Sequence, residues 1–408
     1  MRGAGNELSV GDRVAFYRRR RGMTQATLAA MVSRSEDWLS KVERGDRQVR
    51  RLDVISELAQ ALRVPLEDLL GQPVLLEDDD QATDDDVPAV REALMSHRRL
   101  SRTLFGSSGA PAELASTENI AEFVWTDYQR GRTGKVIAAL PNLLRSAQAL
   151  EDAPLQGQES RCWAVSARIH HLAATTLAKI GEVDLAWIAA ERAMTAAEQS
   201  GDPVALASAA RAGTHALLAV GRFDEAVDLG DTAAEWLKGQ ISEEDPAALS
   251  VLGMLYLRTA VAAAHRQDRS TSNHLLALAS EKARILGHDG NYWHTSFGPT
   301  NVALHRVATG LSLDDVSWVI EQGSRIDSSH MPVERSVAHK IDLARANSYQ
   351  ARDDDALTYL LDAEESAPQL VHHSAVVREV VKAMLRRARA SMTRESPLGG
   401  LAERCRAI

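Results

Sequence analysis

From Gly131 to Ala351 the chain repeats a short turn pattern six times, and that recurrence restricts its fold more than any other feature. A Gly or polar residue, then polar or acidic residues, then a small residue opening an apolar helix appear as GRTGKV at Gly131, GEVDLA at Gly181 and GRFDEA at Gly221. Weaker copies follow as QDRSTS at Gln267, GLSLDDV at Gly310 and ARDDDA at Ala351. The steps are 50, 40, 46, 43 and 41 residues. A period of this size marks one supersecondary unit used repeatedly, each copy burying its apolar face only when a neighbour stacks on it. The text between turns is helical and rich in small residues, as in LAWIAAERAMTAAEQS from Leu185, with Asp202-Pro203 and Asp245-Pro246 punctuating helix ends. The expected fold is therefore all-α, with stacked helical hairpins curling into an α-solenoid.

A different pattern precedes the repeats. Thr24 to Gly45, TQATLAAMVSRSEDWLSKVERG, reads as two short helices joined by a tight turn, the first opening at Thr24 and the second capped by Ser35. Leu28, Ala29, Val32, Leu39 and Val42 give each helix one apolar face. That is a helix-turn-helix. Two helices of this length cannot bury a core alone, so the flanks must complete it. Val10 to Arg21 forms a basic helix with Val14 and Phe16 or Tyr17 turned inward, ending at Gly22. Leu52, Ile55, Leu58, Ala59 and Leu62 define a fourth helix, and Pro65 opens a fifth through Leu69 and Leu70 to Gly71.

Residues 8–71 resemble the lambda/434 repressor and Cro-type domain, the XRE family. The resemblance rests on the basic first helix, Thr24-Gln25, Leu28-Ala29, Ser35, Leu39-Ser40, Glu43-Arg44-Gly45, and Ala61 to Pro65 with Leu69-Leu70. It implies base reading by Glu36, Asp37 and Lys41, with Ser35 and Ser40 on the same DNA-facing helix. It implies phosphate contacts by Gln25, Arg44 and Arg47, and a structural ion pair between Arg18 and Glu43. Such chemistry is reasonable, because a Lys can donate to guanine and a carboxylate can accept from cytosine, while cations at the rim fix register. Two positions depart from the family pattern: the turn carries Ser33 and Arg34 where a Gly and an apolar residue are usual. Arg34 is expected to point outward, toward a phosphate, and Trp38 to pack partly exposed.

Charge divides the chain. Residues 1–72 carry +3, whereas Glu77 to Asp86 carries −7 with no base. Only the first segment suits a polyanion. The acidic run cannot pack against itself, so it is expected to be a flexible linker. The expected organisation is a five-helix DNA-binding domain at 1–72, a linker at 73–88, a solenoid serving sensing and dimerisation at 89–395, and a tail at 396–408.

The repeats resemble degenerate tetratricopeptide units, longer than usual and without the early Trp and Tyr positions. In a right-handed solenoid of such hairpins the first helix of each lines the concave side. Counting back from the turns places Arg168, His171 and Thr175 there, then Ser208, Arg211 and His215, with Asn301 and Arg345 in later units. These are the candidate effector-binding residues. Asn291 to His294 fall in a loop-like stretch before the fifth unit.

Other functions find no support in the sequence. Two cysteines, Cys162 and Cys405, lack metal-ligand spacing and suit a reducing cytoplasm. No uninterrupted apolar run approaches about 18 residues, so no membrane span is expected. The histidine pairs 170–171 and 372–373 lack a third ligand, so no metal is expected. GRTGKV has the wrong spacing for a phosphate loop, and no catalytic motif appears, so neither enzymatic activity nor a cofactor is expected.

Together the halves resemble cytoplasmic regulators that join an XRE domain to a tetratricopeptide-like sensor, including peptide-sensing receptors of Gram-positive bacteria. Phrases such as RSEDWLSKVERG and FGPTNVALHR resemble actinobacterial members. The resemblance implies a homodimer reading two half-sites of double-stranded DNA in successive major grooves, controlled by a peptide or small-molecule effector. The alternative is a regulator whose solenoid only dimerises and docks a protein partner.

Overall fold

The computed structural model describes residues 10–20, 23–44, 47, 49, 51–62, 64, 69, 86–100, 104, 112–242, 245–388 and 396–407. Among these residues there are twenty α-helices, two short 3-10 turns and one isolated bridge between Gly290 and Phe297. They fall into two units, divided between Leu75 and Leu76.

In the N-terminal unit α1 (Val10–Arg20), α2 (Gln25–Met31), α3 (Glu36–Glu43) and α4 (Leu52–Leu62) enclose one core. Thr24 and Ser35 cap α2 and α3, their hydroxyls accepting from the amides of Thr27 and Trp38 at 3.1 Å. Val14, Leu28, Ala29, Val32, Leu39, Ile55, Leu58 and Leu62 are buried together, and Leu69 joins them. The α1 and α3 backbones meet at Gly11, where a β-carbon would stand 1.9 Å from the Val42 carbonyl oxygen. The expected fifth helix, the side chain of Phe16 and the acidic linker through residue 85 lie outside the described residues.

In the second unit α5 (Asp86–Leu94) precedes six hairpins. These are α6/α7 (Leu114–Gln129, Thr133–Asp152), α8/α9 (Glu159–Lys179, Val183–Ser200) and α10/α11 (Pro203–Ala219, Phe223–Lys238). They continue as α12/α13 (Pro246–His265, Arg269–Leu286), α14/α15 (Pro299–Ser312, Val316–Gly323) and α16/α17 (Val333–Tyr349, Asp353–Ser366). The short α18 (Pro368–His372), α19 (Ala375–Arg387) and α20 (Pro397–Arg404) follow. First helices pack on first helices along the array, and each second helix packs on its own first helix and the next.

One backbone motif builds all six turns. Gly131, Gly181, Gly221, Gln267, Asp314 and Ala351 each sit in the left-handed region, with φ between 55° and 80°. The next residue's amide reaches back to the fifth carbonyl before it in every case, from Arg132 to Asp127 through to Arg352 to Asn347. This is the Schellman C-cap, so the repeat is a recurring helix stop rather than a recurring glycine. The fifth turn accordingly falls at Asp314, four residues beyond the expected Gly310. Gly310 lies inside α14, where a β-carbon would come 3.2 Å from Val319 of α15, so its smallness serves helix packing.

The segment at 396–408, expected as a tail, instead contributes α20. Leu401, Ala402 and Cys405 are fully buried there against α17 and α19 residues such as Leu360 and Val381.

The array also turns back on itself. Helix α6 packs against α16, and α7 against α18. The Gly134 amide donates to Gln369 Oε1 at 3.0 Å across 235 positions of sequence. The first helices therefore line an interior that the last hairpin helps to close. Helix α12, apolar enough by composition to cross a membrane, has 83% of its apolar window buried inside this packing.

Candidate nucleic-acid interface and repeat interior

Helix α3 is two-sided. Leu39, Val42 and Glu43 are buried on one face, while Glu36, Asp37, Lys41 and the following Arg44 and Arg47 are exposed and Ser40 is half-buried on the other. Two acidic residues in its first turn suit the positive helix N-terminus. Ser35 is committed to capping. The turn before α3 contains Ser33 at φ 52°, a left-handed conformation that explains why a glycine would suit this position. Arg34 is exposed, its guanidinium 5.6 Å from the centre of the Trp38 ring, so the pair forms a cation–π contact on the outer surface.

Beneath that surface Arg18 of α1 meets Glu43. Arg18 Nε and Nη2 donate to the two carboxylate oxygens at 2.5 and 2.7 Å, and Nη1 donates to the Met23 carbonyl at 2.7 Å. The hydrogen bonds to Glu43 raise the Arg18 pKa above its ordinary value, against the effect of burial. Gln25 joins the same group, its amide donating to Glu43 Oε2 at 2.7 Å. Lys41 is also engaged: its ammonium lies 2.7 Å from Asp37 Oδ2, one helical turn earlier. The polar face of α3 therefore carries an exposed intrahelical ion pair.

The eight effector candidates divide into groups. His171, Ser208 and Arg211 form a buried chain, with His171 Nδ1 3.1 Å from Ser208 Oγ and Nε2 3.2 Å from Arg211 Nη2. A guanidinium can only donate, so Nε2 accepts and the His171 proton resides on Nδ1. Arg168 pairs with Glu118 and Glu122, and lies 5.5 Å from the Trp293 ring centre. Buried Asn301 donates to the carbonyls of Thr295 and Ser296 at 3.2 and 2.9 Å, which makes it a loop anchor. Arg345 pairs with Asp342 on its own helix at 3.3 Å. Thr175 is buried, and His215 is half-buried.

The loop at residues 288–298 docks onto α6. Trp293, His294 and Ser296 all adopt positive φ without being glycine. The His294 ring stacks on Trp125 at 4.6 Å, and Gln129 exchanges hydrogen bonds with Asn291 at 2.9 Å. Trp125 also meets His171 edge-on at 5.3 Å.

Counting back from the turns missed Lys179, Arg258, Glu334 and Arg335. Glu334 accepts from Lys179 and lies 3.4 Å from Arg335, while Lys179 sits 4.7 Å from the Tyr128 ring centre. Burial lowers Arg211 to about 9, helped by the charges of Arg258 and Arg335. Burial likewise lowers Arg258 to about 10, with Arg335 adding to the shift. Burial acts to raise the Glu334 carboxyl, but Arg335, Lys179 and Arg258 outweigh it and hold it well below the ordinary range. One sequence signal was available: Arg258 is the sole Asp, Glu, Lys or Arg in the apolar stretch from Pro246 to His265.

The paired histidines engage protein groups. His170 Nε2 lies 3.1 Å from Glu151, and His372 Nε2 lies 2.5 Å from Glu364. Cys162 and Cys405 are buried free thiols, and burial pushes the Cys405 thiol up to about 12.

Comparison with known proteins bears on the two units differently. Among curated proteins none matches this chain. Among solved structures, the crystal structure of Bacillus thuringiensis PlcR in complex with the peptide PapR7 and DNA matches with a TM-score of 0.31 and 16% identity. The match covers 68% of this chain and 95% of that one, a likeness too distant to assign a partner. Residues 9–70 match the family model described as a helix-turn-helix domain. With α2, the Ser33 turn and α3 in place, the N-terminal unit is a helix-turn-helix domain.

Proposed function

We propose that this chain is a sequence-specific DNA-binding transcription regulator, acting as a cytoplasmic homodimer whose repeat unit takes a peptide or other small-molecule effector. The observation that carries this reading is the construction of α3. Its polar face is open while Leu39, Val42 and the Arg18–Glu43 pair fix its other face to the core. A reading helix must be held rigidly, because base contacts discriminate only at defined geometry. Glu36, Asp37, Ser40 and Lys41 are the base-facing set, and Gln25, Arg34, Arg44 and Arg47 border the phosphates. Dimerisation follows from the reach of one such helix, which spans only half of a typical operator. The effector reading is supported by the interior polar side chains of α8, α10 and α12, where Arg211 and Arg258 lack carboxylate partners among the described residues. An effector acts by binding one arrangement of the dimer better than another, and about 1–3 kcal/mol of coupling suffices.

The test is selection of duplexes from a random library by the full-length chain, followed by titration of the enriched sequence at several salt concentrations. The expected result is a site with two related halves centred about 10 base pairs apart, and affinity falling steeply with salt. Recovery of a library no different from the input would overturn the proposal.

A further inference from the structure

The arginines that face the interior of the repeat array carry a more specific reading of that effector site, and it rests on the effector proposal above. We propose that the interior is an oxyanion site, in which Arg211 and Arg258 hold a phosphate or carboxylate group of a small ligand, flanked by Lys179 and Arg335.

Four cations come from four first helices: Lys179 from α8, Arg211 from α10, Arg258 from α12 and Arg335 from α16. Among the described residues Glu334 is the one carboxylate in contact with any of them, and it is already shared by Lys179 and Arg335. Arg211 is 6% exposed, and its Nε has no hydrogen-bond partner. Its remaining contact is to the lone pair of a neutral imidazole, His171 Nε2 at 3.2 Å. Arg258 is half-buried on α12, which packs directly against α10 carrying Arg211, and it makes no hydrogen bond or ion pair with any described residue; its charge bears on Arg211, His215, His305 and Glu334.

Like charges are not collected in a low-dielectric interior without cost, since each buried guanidinium gives up water and repels its neighbours. An oxyanion between Arg211 and Arg258 would offset both penalties, and guanidinium forks match its geometry bidentately. The half-buried ring of Tyr128 beside Lys179 supplies an apolar wall for the rest of a ligand. The site remains reachable, because Lys179 and Arg335 keep 24% and 16% of their side chains exposed.

Two sources of oxyanion fit, a phosphate ester and the C-terminal carboxylate of a peptide. The experiment is thermal unfolding of the full-length protein with sodium phosphate, with tetra-alanine bearing a free carboxylate, with its C-terminal amide, and with chloride at matched ionic strength. At saturation the wild type should shift upward by about 2 °C or more with phosphate or the peptide acid, and not with the amide or chloride. A phosphate response identifies a phosphate ester as the ligand class, and a response to the acid alone identifies a peptide terminus. Arg258→Gln should abolish the shift and, without anion, melt no lower than wild type because a repulsion is removed. Arg258→Lys should keep a reduced shift, which guards against misfolding as the cause of the loss.

No anion-specific shift in the wild type would overturn the proposal. An equal shift in Arg258→Gln would do so too, because the anion would then be bound elsewhere, such as on the DNA-reading face. The effector reading fails separately. A low-mass cell fraction that stabilises wild type and Arg258→Gln alike keeps the effector and removes the oxyanion site.

Discussion

Arg18 and Glu43 are joined by a two-pronged ion pair, 25 positions apart in sequence, with side chains only 9% and 3% exposed. Through it α1 fixes the C-terminal end of α3, and Gln25 ties α2 to the same carboxylate. Removing one partner of a buried pair leaves an uncompensated charge, at a cost of about 3–5 kcal/mol. Glu43→Ala should therefore abolish amide-exchange protection in α1 and α3 of the full-length protein. The double variant Arg18→Met, Glu43→Leu should retain most of it, because no charge is stranded. Unchanged protection in Glu43→Ala would mean that the pair contributes nothing to the fold of the unit.

Lys41 and Asp37 make opposite predictions for DNA. Their contact is exposed, and pairs of this kind stabilise a helix by only about 0.3–0.5 kcal/mol, so neither substitution to Ala should unfold the unit. Lys41→Ala should weaken specific binding by about 1–3 kcal/mol and relax preference at one base pair. Asp37→Ala frees the ammonium and removes a negative charge from the face, so non-specific binding at low salt should tighten. Titrations in which both variants move the same way would argue that the pair does not face DNA.

Local chemistry made much of the N-terminal unit legible in the sequence. Thr24 and Ser35 cap the helices they precede because a hydroxyl three residues from an orphan amide is a short-range signal. The interior of the repeat unit was legible only in part. Counting back from the turns found His171 and Arg211, since both lie on first helices at a fixed distance from the αL residue. It could not show that the groove is enclosed, because closure depends on contacts such as Gly134 with Gln369 that no periodicity encodes. Gly310 misled for a related reason. A turn is defined by the hydrogen bond over its end, and Asp314 supplies that conformation without being glycine, while Gly310 is small for packing.

The turns can be tested as a set. Gly181 has φ of 80° and open space around the missing β-carbon, so only backbone strain opposes a side chain there. Gly181→Ala should cost about 1–2 kcal/mol. Ala351 already bears that strain at φ 55°, and Ala351→Gly should recover up to about 1 kcal/mol, reduced by the greater freedom of the unfolded chain. Urea unfolding of the full-length variants should shift in opposite directions. Equal destabilisation by both would mean that the left-handed residue is not what limits these turns.

Acid should weaken the repeat unit through its histidines. Burial lowers His171, His215 and His305 below the ordinary imidazole range, His305 to about 3, and the neighbouring arginines push in the same direction. The neutral form of His171 is built into the structure, because its Nε2 must accept from Arg211 at 3.2 Å, whereas the His305 bond to the Asn301 carbonyl works against the shift and burial outweighs it. A group with a depressed folded pKa binds its proton more readily when unfolded, so its contribution is complete above about pH 6.5 and is lost as pH falls. At pH 5 the loss is about 2 kcal/mol for His305, and His171 and His215 add to it in the same direction. Asp342 runs the other way. Burial holds its carboxyl up at about 6, so it gains about 1 kcal/mol over the same interval, too little to reverse the sign. The thermal midpoint should therefore fall between pH 7.5 and 5.0, and His171→Asn should flatten that dependence. A midpoint that rises toward pH 5 would show that Asp342, not the histidines, governs the acid response.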